Sequence, residues 1–273
     1  MENQGKLVGK RALVTGAGTG LGREIALEFA RQGADVVLHY CHSAKGAYSA
    51  VEEIRAMGRR TEVLQADLAD PADCGKLVDG AVSLLGGIDI LVNNSGITAS
   101  KPFVEVTPQD FDLLYGVNVR GQFFCAQRAV QYMLKQEHKG ILINMTSIHG
   151  CTGFVEHSVY DGTKGAIWSW TRELAVELAP LGIRVNGIAP GWILVESHYK
   201  ANPNLDPEDV GQRLVPWKRL GNPIDIARAC VYLATDESSY MVGHILVVDG
   251  GITAKSALPL ETLDTTWGAT KEG

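Results

Sequence analysis

From residue 11 onward the chain alternates short apolar runs with longer amphipathic ones, and this rhythm restricts the fold more than any other feature. Arg11–Thr15 reads as a buried strand. A glycine-rich turn follows, then a helical stretch, Leu21–Gln32, whose residues Leu21, Ile25, Leu27, Phe29 and Ala30 make an apolar face. Asp35–Tyr40 is a second strand, and Ala44–Met57 is a helix that Gly58 suits as its stop. Thr61–Ala66 is a third strand, and Pro71 fits the first turn of the helix after it. Ile88–Asn93 is a fourth strand, and Pro108 opens a long helical stretch to about Glu137. Gly140–Met145 is a fifth strand, followed by the helix Ser158–Ala179, with Ala166, Trp170, Leu174 and Leu178 on one row. Ile183–Ala189 is a sixth strand, Gly191–Leu220 an irregular segment, Ile224–Ala234 a nearly all-apolar helix and Ile245–Val248 a last strand. Strands spaced by helices form βαβ units. The fold class is therefore α/β, a doubly wound parallel sheet with right-handed crossovers.

A length of 273 residues suits one large domain, and 45% hydrophobic with 21% charged residues is ordinary for a globular protein. The net charge of −6 carries no basic excess, so no nucleic-acid partner is expected. Cys41, Cys74, Cys125, Cys151 and Cys230 are odd in number, scattered and without a CxxC pair. They predict no disulfide framework and no metal, and fit a reducing compartment. The stretch Met1–Arg11 lacks the apolar core of a signal peptide. The best membrane candidate, Gly140–Val155, is broken by Asn144, Thr146, Ser147 and His149. A cytoplasmic protein with no membrane partner is expected.

The first strand runs into Thr15-Gly16-Ala17-Gly18-Thr19-Gly20-Leu21-Gly22. Absent side chains let a pyrophosphate approach the backbone, and the helix behind offers free N–H groups and a positive dipole end. A plain strand–helix turn also uses glycines, so the pattern is weak by itself. Tyr160 and Lys164 lie four apart in a helical segment and share a face, either as a reactive pair or as an ordinary helix pair with the tyrosine half buried and the lysine solvated. A tyrosine titrates near 10, and bringing it near 7 takes roughly 4 kcal/mol of selective phenolate stabilisation. A neighbouring ammonium supplies part of this, and an oxidised nicotinamide more. Ser147 ends the fifth strand, where open α/β sheets place ligands; its hydroxyl either donates to a substrate carbonyl or caps a turn. Asn93-Asn94-Ser95-Gly96 ends the fourth strand, as a cofactor contact or an Asx turn. Asn118, between Val117 and Val119, predicts a kink or a buried hydrogen bond. Pro190-Gly191 follows the sixth strand.

In this order and placement, these residues closely resemble the short-chain dehydrogenase/reductase family in its short single-domain form. The resemblance runs from about Lys6 to Gly251 and includes Asp67 and the closing Val247-Val248-Asp249-Gly250-Gly251. It implies a Rossmann-like dehydrogenase domain over 1–251 and an NAD(P)-dependent oxidoreductase acting on a CH–OH group. In that reading Tyr160 is general acid in reduction and general base in oxidation. Lys164 lowers its pKa and holds the nicotinamide ribose, Ser147 polarises the substrate oxygen, and Asn118 anchors a water linking Lys164 to solvent. Gly16, Thr19, Gly20, Leu21 and Gly22 line the pyrophosphate, Asp67 and Leu68 the adenine, and Asn93, Ser95 and Gly96 the adenosine ribose. Pro190, Gly191 and Ile193 flank the nicotinamide. The sequence departs from the family pattern at Ser95, usually Ala, and at Val195, where a Thr often meets the carboxamide. The tail 252–273 is longer than usual.

The second strand ends in His39-Tyr40-Cys41-His42-Ser43, without the carboxylate an NAD-selective site uses. NADP(H) is therefore favoured over NAD(H), with Ser43 on the 2′-phosphate and Arg23, His42 and Lys45 as nearby cations. The segment Gly191–Leu220 is expected to be a lid with polar and aromatic residues, among them Trp192, Glu196, His198, Tyr199 and Lys200. Together with His149, and with His157 just before Tyr160, it points to a small polar substrate such as a sugar or polyol, contacted by His149, Trp192 and His198. A 3-oxoacyl thioester reductase shares every catalytic residue named and is the main alternative. A nucleotide-sugar epimerase or dehydratase would carry a longer C-terminal domain, and a non-catalytic dinucleotide-sensing protein would have lost one of Ser147, Tyr160 or Lys164. The surplus apolar surface of Ile224–Ala234, together with the resemblance, predicts a homotetramer. Leu258, Leu260, Leu263 and Trp267 would dock the tail at a subunit interface; the alternative is a disordered tail.

Overall fold

A computed structural model describes residues 5–136 and 140–255. Among these residues one seven-stranded sheet carries β1 (Arg11–Val14), β2 (Asp35–Tyr40), β3 (Thr61–Gln65), β4 (Ile90–Asn93), β5 (Ile141–Met145), β6 (Arg184–Pro190) and β7 (Ile245–Val248). Its order is β3-β2-β1-β4-β5-β6-β7. Every neighbouring pair is parallel, as the alternation of strands and helices requires. Strand order across the sheet reverses between β1 and β4. That switch point, at the carboxyl ends of the two strands, is the crevice where open α/β sheets place ligands.

The strands are apolar on both sides because both sides are covered. Ala12, Val14, Val36, Leu38, Ile90 and Val92 pack under α1 (Gly20–Arg31), α2 (Ala44–Ala56) and α9 (Pro223–Leu233). Alternate residues Leu13, Val37, Leu91 and Leu142 pack under α3 (Pro71–Leu85), α5 (Gln122–Met133) and α6 (Ser158–Leu178). The surplus apolar surface expected on the helix before β7 is taken up inside the molecule. Ile226, Ala227, Cys230 and Leu233 are buried in the same cluster as Ile25, Leu27 and Phe29 of α1. Tyr232 of the same helix stays 37% exposed. Asp89 clamps the entry of β1 to that of β4, accepting from Arg11 at its backbone N–H (2.9 Å), Nε (2.8 Å) and Nη2 (2.7 Å).

Two expectations are corrected. The stretch opened by Pro108 is not one helix. It is α4 (Pro108–Tyr115), a π-helical segment Gly116–Gly121, and α5; Glu137 lies outside the described residues. The widened turn lets Asn118 point inward and lets Gly121 approach Leu68, whose carbonyl oxygen would lie 2.6 Å from a Cβ on that glycine. Nor is 191–220 irregular throughout, since it holds α7 (Glu196–Ala201) and α8 (Pro207–Leu214). Asp206 caps α8, accepting from the N–H groups of Glu208 and Asp209, and Pro207 supplies its first turn. Of the tail, the structure describes only residues up to Lys255. Leu258, Leu260, Leu263 and Trp267 lie outside the described residues.

Candidate active site

The turn between β1 and α1 is shaped by what glycine lacks. Gly16 and Gly20 sit at φ +66 and +55, a region that favours glycine. A Cβ on Gly22 would lie 2.2 Å from the Gly16 carbonyl oxygen, and one on Gly18 would meet the Ser43 carbonyl at 2.6 Å. Thr19 occupies the N-cap of α1 but makes no side-chain cap there, and the first turn holds no acidic residue. The leading N–H groups and the dipole thus face the crevice unanswered by any side chain, which suits a diphosphate. The Thr19 hydroxyl instead donates to Glu196 of α7 at 3.2 Å. A cavity of about 290 Å³ opens between this turn and α7, lined by Gly20, Arg23, Val195, Glu196 and Tyr199 among others. It lies on the pyrophosphate side, and none of Ser147, Tyr160 and Lys164 lines it.

Beneath the turn lies a hydrogen-bond web that sequence reasoning does not reach. His39, 1% exposed, accepts the Gly16 N–H on Nδ1 at 3.0 Å and pairs with the Ala66 carbonyl through Nε2 at 3.1 Å. The Ser95 hydroxyl lies 3.5 Å from the same Nδ1, so the departure from the family's Ala has a partner here. Burial pushes the imidazole below its ordinary range, against the Ala66 carbonyl and the Asp67 charge, and a neutral ring fits one acceptor and one donor nitrogen. Thr15 Oγ1 receives the N–H groups of Asn94 and Ser95, while the Asn94 amide donates to the Thr15 and Gly16 carbonyls. Asn93 is buried; its amide donates to the Gln122 carbonyl and Asn144, while its Oδ1 has no partner among the described residues. Asp67 is exposed at the end of β3 with Leu68 buried beside it.

Ser147, Tyr160 and Lys164, the residues expected to carry the chemistry, assemble at the carboxyl end of β5. Ser147 caps the short turn Ile148–Gly150, accepting from the His149 N–H at 3.3 Å. Tyr160 and Lys164 lie on one face of α6, with Nζ 5.5 Å from the phenol ring centre. Lys164 is 4% exposed and donates to the Met145 carbonyl at 3.1 Å. Thr146 fixes the helix to the strand, its hydroxyl donating to the Lys164 carbonyl at 2.8 Å. Asn118 is fully buried. Its Oδ1 accepts from the Ile97 N–H, and its amide donates to the Ile97 carbonyl and the Thr163 hydroxyl. Gly96 lets these groups converge, since a Cβ there would lie 3.3 Å from Asn118 Oδ1 and 3.5 Å from Lys164 Nζ.

Burial pushes the Tyr160 phenol up to about 12, with the Ser147 hydroxyl pulling it down and the Asp161 charge pushing it further up. Burial likewise pushes the Lys164 ammonium down to about 8. The protein alone thus disfavours both charges, and a phenolate at neutral pH needs a further cation. A nicotinamide dinucleotide fits: glycines where a Cβ would clash, an uncapped helix start for the pyrophosphate, and a buried ammonium whose one backbone acceptor leaves it free to meet ribose hydroxyls. Bound there, the oxidised ring supplies positive charge and accepts hydride.

Of the expected substrate residues, His149 lies against this group. His149 pairs with Asp161 at 2.6 Å and meets the Tyr160 ring at 5.1 Å. Trp192 is 36% exposed, and its ring meets that of His198 edge-on at 6.3 Å. His198 accepts the Val195 N–H on Nδ1. Pro190 ends β6. Gly191 abuts Asp249, whose Cβ would lie 2.6 Å from a Cβ placed on that glycine, and Ile193 is buried. Around the β2 end, Tyr40 is buried against Tyr48, Ser43 is exposed, and Arg23 is engaged by Glu53. Lys45 and His42 are exposed there.

Comparison with known proteins agrees with the geometry. Residues 16–253 match the family model described as enoyl-(acyl carrier protein) reductase. The chain is 37% identical to the L-rhamnose 1-dehydrogenase (NAD(P)(+)) of a Sphingomonas species, over 90% of this chain and 97% of the relative. It is also 37% identical to the 3-oxoacyl-[acyl-carrier-protein] reductase FabG of Staphylococcus epidermidis, over 89% and 98%. A short-chain dehydrogenase from Burkholderia cenocepacia, solved in complex with NADP, superposes with a TM-score of 0.84 at 33% identity, covering 91% of this chain and 99% of that one. The chain belongs to the short-chain dehydrogenase/reductase family. It is an NAD(P)-dependent oxidoreductase acting on CH–OH and carbonyl groups. Among the described residues no helix is long and apolar enough to cross a membrane.

Proposed function

We propose that this enzyme moves a hydride between NADP(H) and an alcohol or carbonyl of a small polar substrate, a sugar or polyol. The observation that carries the reading is the meeting of Ser147, Tyr160 and Lys164 at one strand end, with His149 against the Tyr160 ring. In oxidation Ser147 donates to the substrate oxygen, the Tyr160 phenolate takes its proton, and Lys164 holds that phenolate and the cofactor ribose. In reduction the same phenol donates. The Asn118 side chain is committed to Ile97 and Thr163, so a water leading to Lys164 falls to the main chain of the π-helical segment. The L-rhamnose dehydrogenase likeness supports the sugar reading.

NADP(H) over NAD(H) is supported by the carboxylate-free end of β2, with Ser43 and Lys45 opening α2. Arg23 is left out of that set because Glu53 engages it. Nicotinamide fluorescence with aldoses, polyols and an acetoacetyl thioester, each with NADP(H) and NAD(H), tests both points. A lower KM for NAD(H) overturns the cofactor preference. The likeness to a 3-oxoacyl reductase favours the thioester as a second reading, and preference for it in this panel overturns the sugar reading. We further read the protein as a cytoplasmic homotetramer, with the tail at a subunit interface.

A further inference from the structure

We infer that the substrate carries a hydroxyl on the carbon next to the reacting one, and that His149, held in place by Asp161, accepts the hydrogen bond from that hydroxyl. The inference rests on the hydride-transfer reading above and narrows its substrate. It makes His149 a specificity-determining residue and Asp161 a positioning one.

His149 stands two residues after Ser147, in the turn Ile148–Gly150. Its Nδ1 lies 2.6 Å from Asp161 Oδ1, and Asp161 Oδ2 accepts the Phe154 N–H at 3.0 Å. A carboxylate only accepts, so Nδ1 carries the proton and Nε2 presents a lone pair. Phe154 stacks on the imidazole at 3.7 Å and 17°, and the Tyr160 ring meets it at 5.1 Å and 76°. The imidazole is thus fixed by a carboxylate, a phenyl face and the catalytic phenol. No hydrogen bond from a described residue engages Nε2.

Only 18% of the His149 side chain is exposed. Substrate entering the crevice displaces the remaining water, and an acceptor stripped of water without a new donor is costly. The imidazole lies 5.1 Å from the Tyr160 ring, so with the reacting oxygen between Ser147 and Tyr160 we place the substituent on the adjacent carbon at the imidazole. A sugar, a polyol or an α-hydroxy ketone offers an O–H there; a 3-oxoacyl thioester offers only C–H. Burial holds His149 below its ordinary range despite the Asp161 charge, with His157 and Lys164 acting in the same direction as burial. The neutral acceptor form is the one present at neutral pH.

Two probes that differ by one adjacent hydroxyl, 2,3-butanediol and 2-butanol, test this, with an acetoacetyl thioester as the third. Each would be assayed with wild type, His149→Phe, His149→Gln and Asp161→Asn. NADPH-induced quenching of protein fluorescence shows which variants fold and bind cofactor. Wild type is expected to favour the diol over the mono-alcohol by about tenfold or more in kcat/KM, because a polar site discriminates against a substrate lacking its partner group. In His149→Phe the ratio falls toward one, and in His149→Gln, which keeps an acceptor oxygen, part of it returns. Asp161→Asn lowers the ratio as well, since an amide can donate to Nδ1 and leave the proton on Nε2. An unchanged ratio in His149→Phe, with the diol still oxidised, overturns this inference alone. Wild-type preference for the thioester over the diol overturns it together with the substrate reading.

Discussion

His39 shows how much one side chain can organise. It joins the ends of β1, β2 and β3, since Gly16, His39 and Ala66 each close one of those strands or the turn after it. Leucine at this site leaves the Gly16 N–H and the Ala66 carbonyl without their partner, and a buried group left unpaired costs about 1–3 kcal/mol. We expect His39→Leu to weaken NADPH binding by about tenfold or more, with kcat at saturating cofactor little changed. His39→Asn, which restores an acceptor near Gly16, should recover most of the affinity. Fluorescence titration checks this, and equal affinity in wild type and His39→Leu removes the role. At the chemistry itself, Tyr160→Phe should lower turnover by about two orders of magnitude or more, the scale of a general acid–base contribution, while cofactor still binds. Near-normal turnover in that variant refutes the mechanism. The sign of the pH dependence follows from the phenol, which burial raises to about 12. Oxidation needs phenolate and so rises with pH; reduction needs phenol and falls. Lys164→Met removes the adjacent ammonium, and the midpoint of the oxidation profile should move up by about 1–3 pH units. A profile that stays in place would show that Lys164 does not act on the phenol.

At the scale of elements, β1 and β4 flank the crevice, and Asp89 sets their relative position through Arg11. Burial pushes the Asp89 carboxyl up, but the hydrogen bonds and charge of Arg11 outweigh it and hold the group below the usual carboxylate range. A depressed folded value means the contribution to stability is complete above the unfolded value, about 3.9, and is lost as pH falls through the folded value. Asp89→Asn should therefore destabilise the enzyme by about 2 kcal/mol at pH 7, because Arg11 loses its charged partner. The gap between variant and wild type should narrow as the pH drops below about 4. Urea unfolding at several pH values reads both, and a gap independent of pH refutes the assignment. The π-helical segment is the other element-level device. In the sequence it shows only as an oddity at Asn118, because a polar residue among valines signals disruption without saying whether a kink, a bulge or a buried bond resolves it. The carbonyl and N–H of Ile97, which Asn118 engages, lie 21 residues earlier.

For the whole molecule, assembly is set by which apolar surface stays outside. The helix before β7 buries Ile226, Ala227, Cys230 and Leu233 in one cluster with α1 and leaves Tyr232 37% exposed. Phe111 and Leu113 of α4, Phe123 of α5 and Val176 of α6 are 45%, 54%, 40% and 77% exposed. Light scattering should give the mass of a tetramer, and Val176→Glu should lower it, since a buried charge in an apolar contact is unfavourable. A monomer in wild type removes the assignment.

What the sequence determined by itself was everything that depends on near neighbours in the chain. Strand and helix periods say which faces are buried; the alternation of elements implies parallel pairing; glycine spacing marks where backbone must meet a ligand; and the spacing of Tyr160 and Lys164 puts them on one helical face. The helices α7 and α8 interrupt a segment that periodicity alone reads as irregular, although Asp206-Pro207-Glu208-Asp209 is a local helix start of the same near-neighbour kind. Tertiary structure alone decided the long-range pairings around the site. His39 reaches Gly16 across 23 residues and Ser95 across 56, and His149 meets Asp161 across 12. Periodicity can say that each of these side chains points inward or lies near a strand end. It cannot say which polar group it will meet, because that is set by the order of strands in the sheet and the depth to which each helix settles on it.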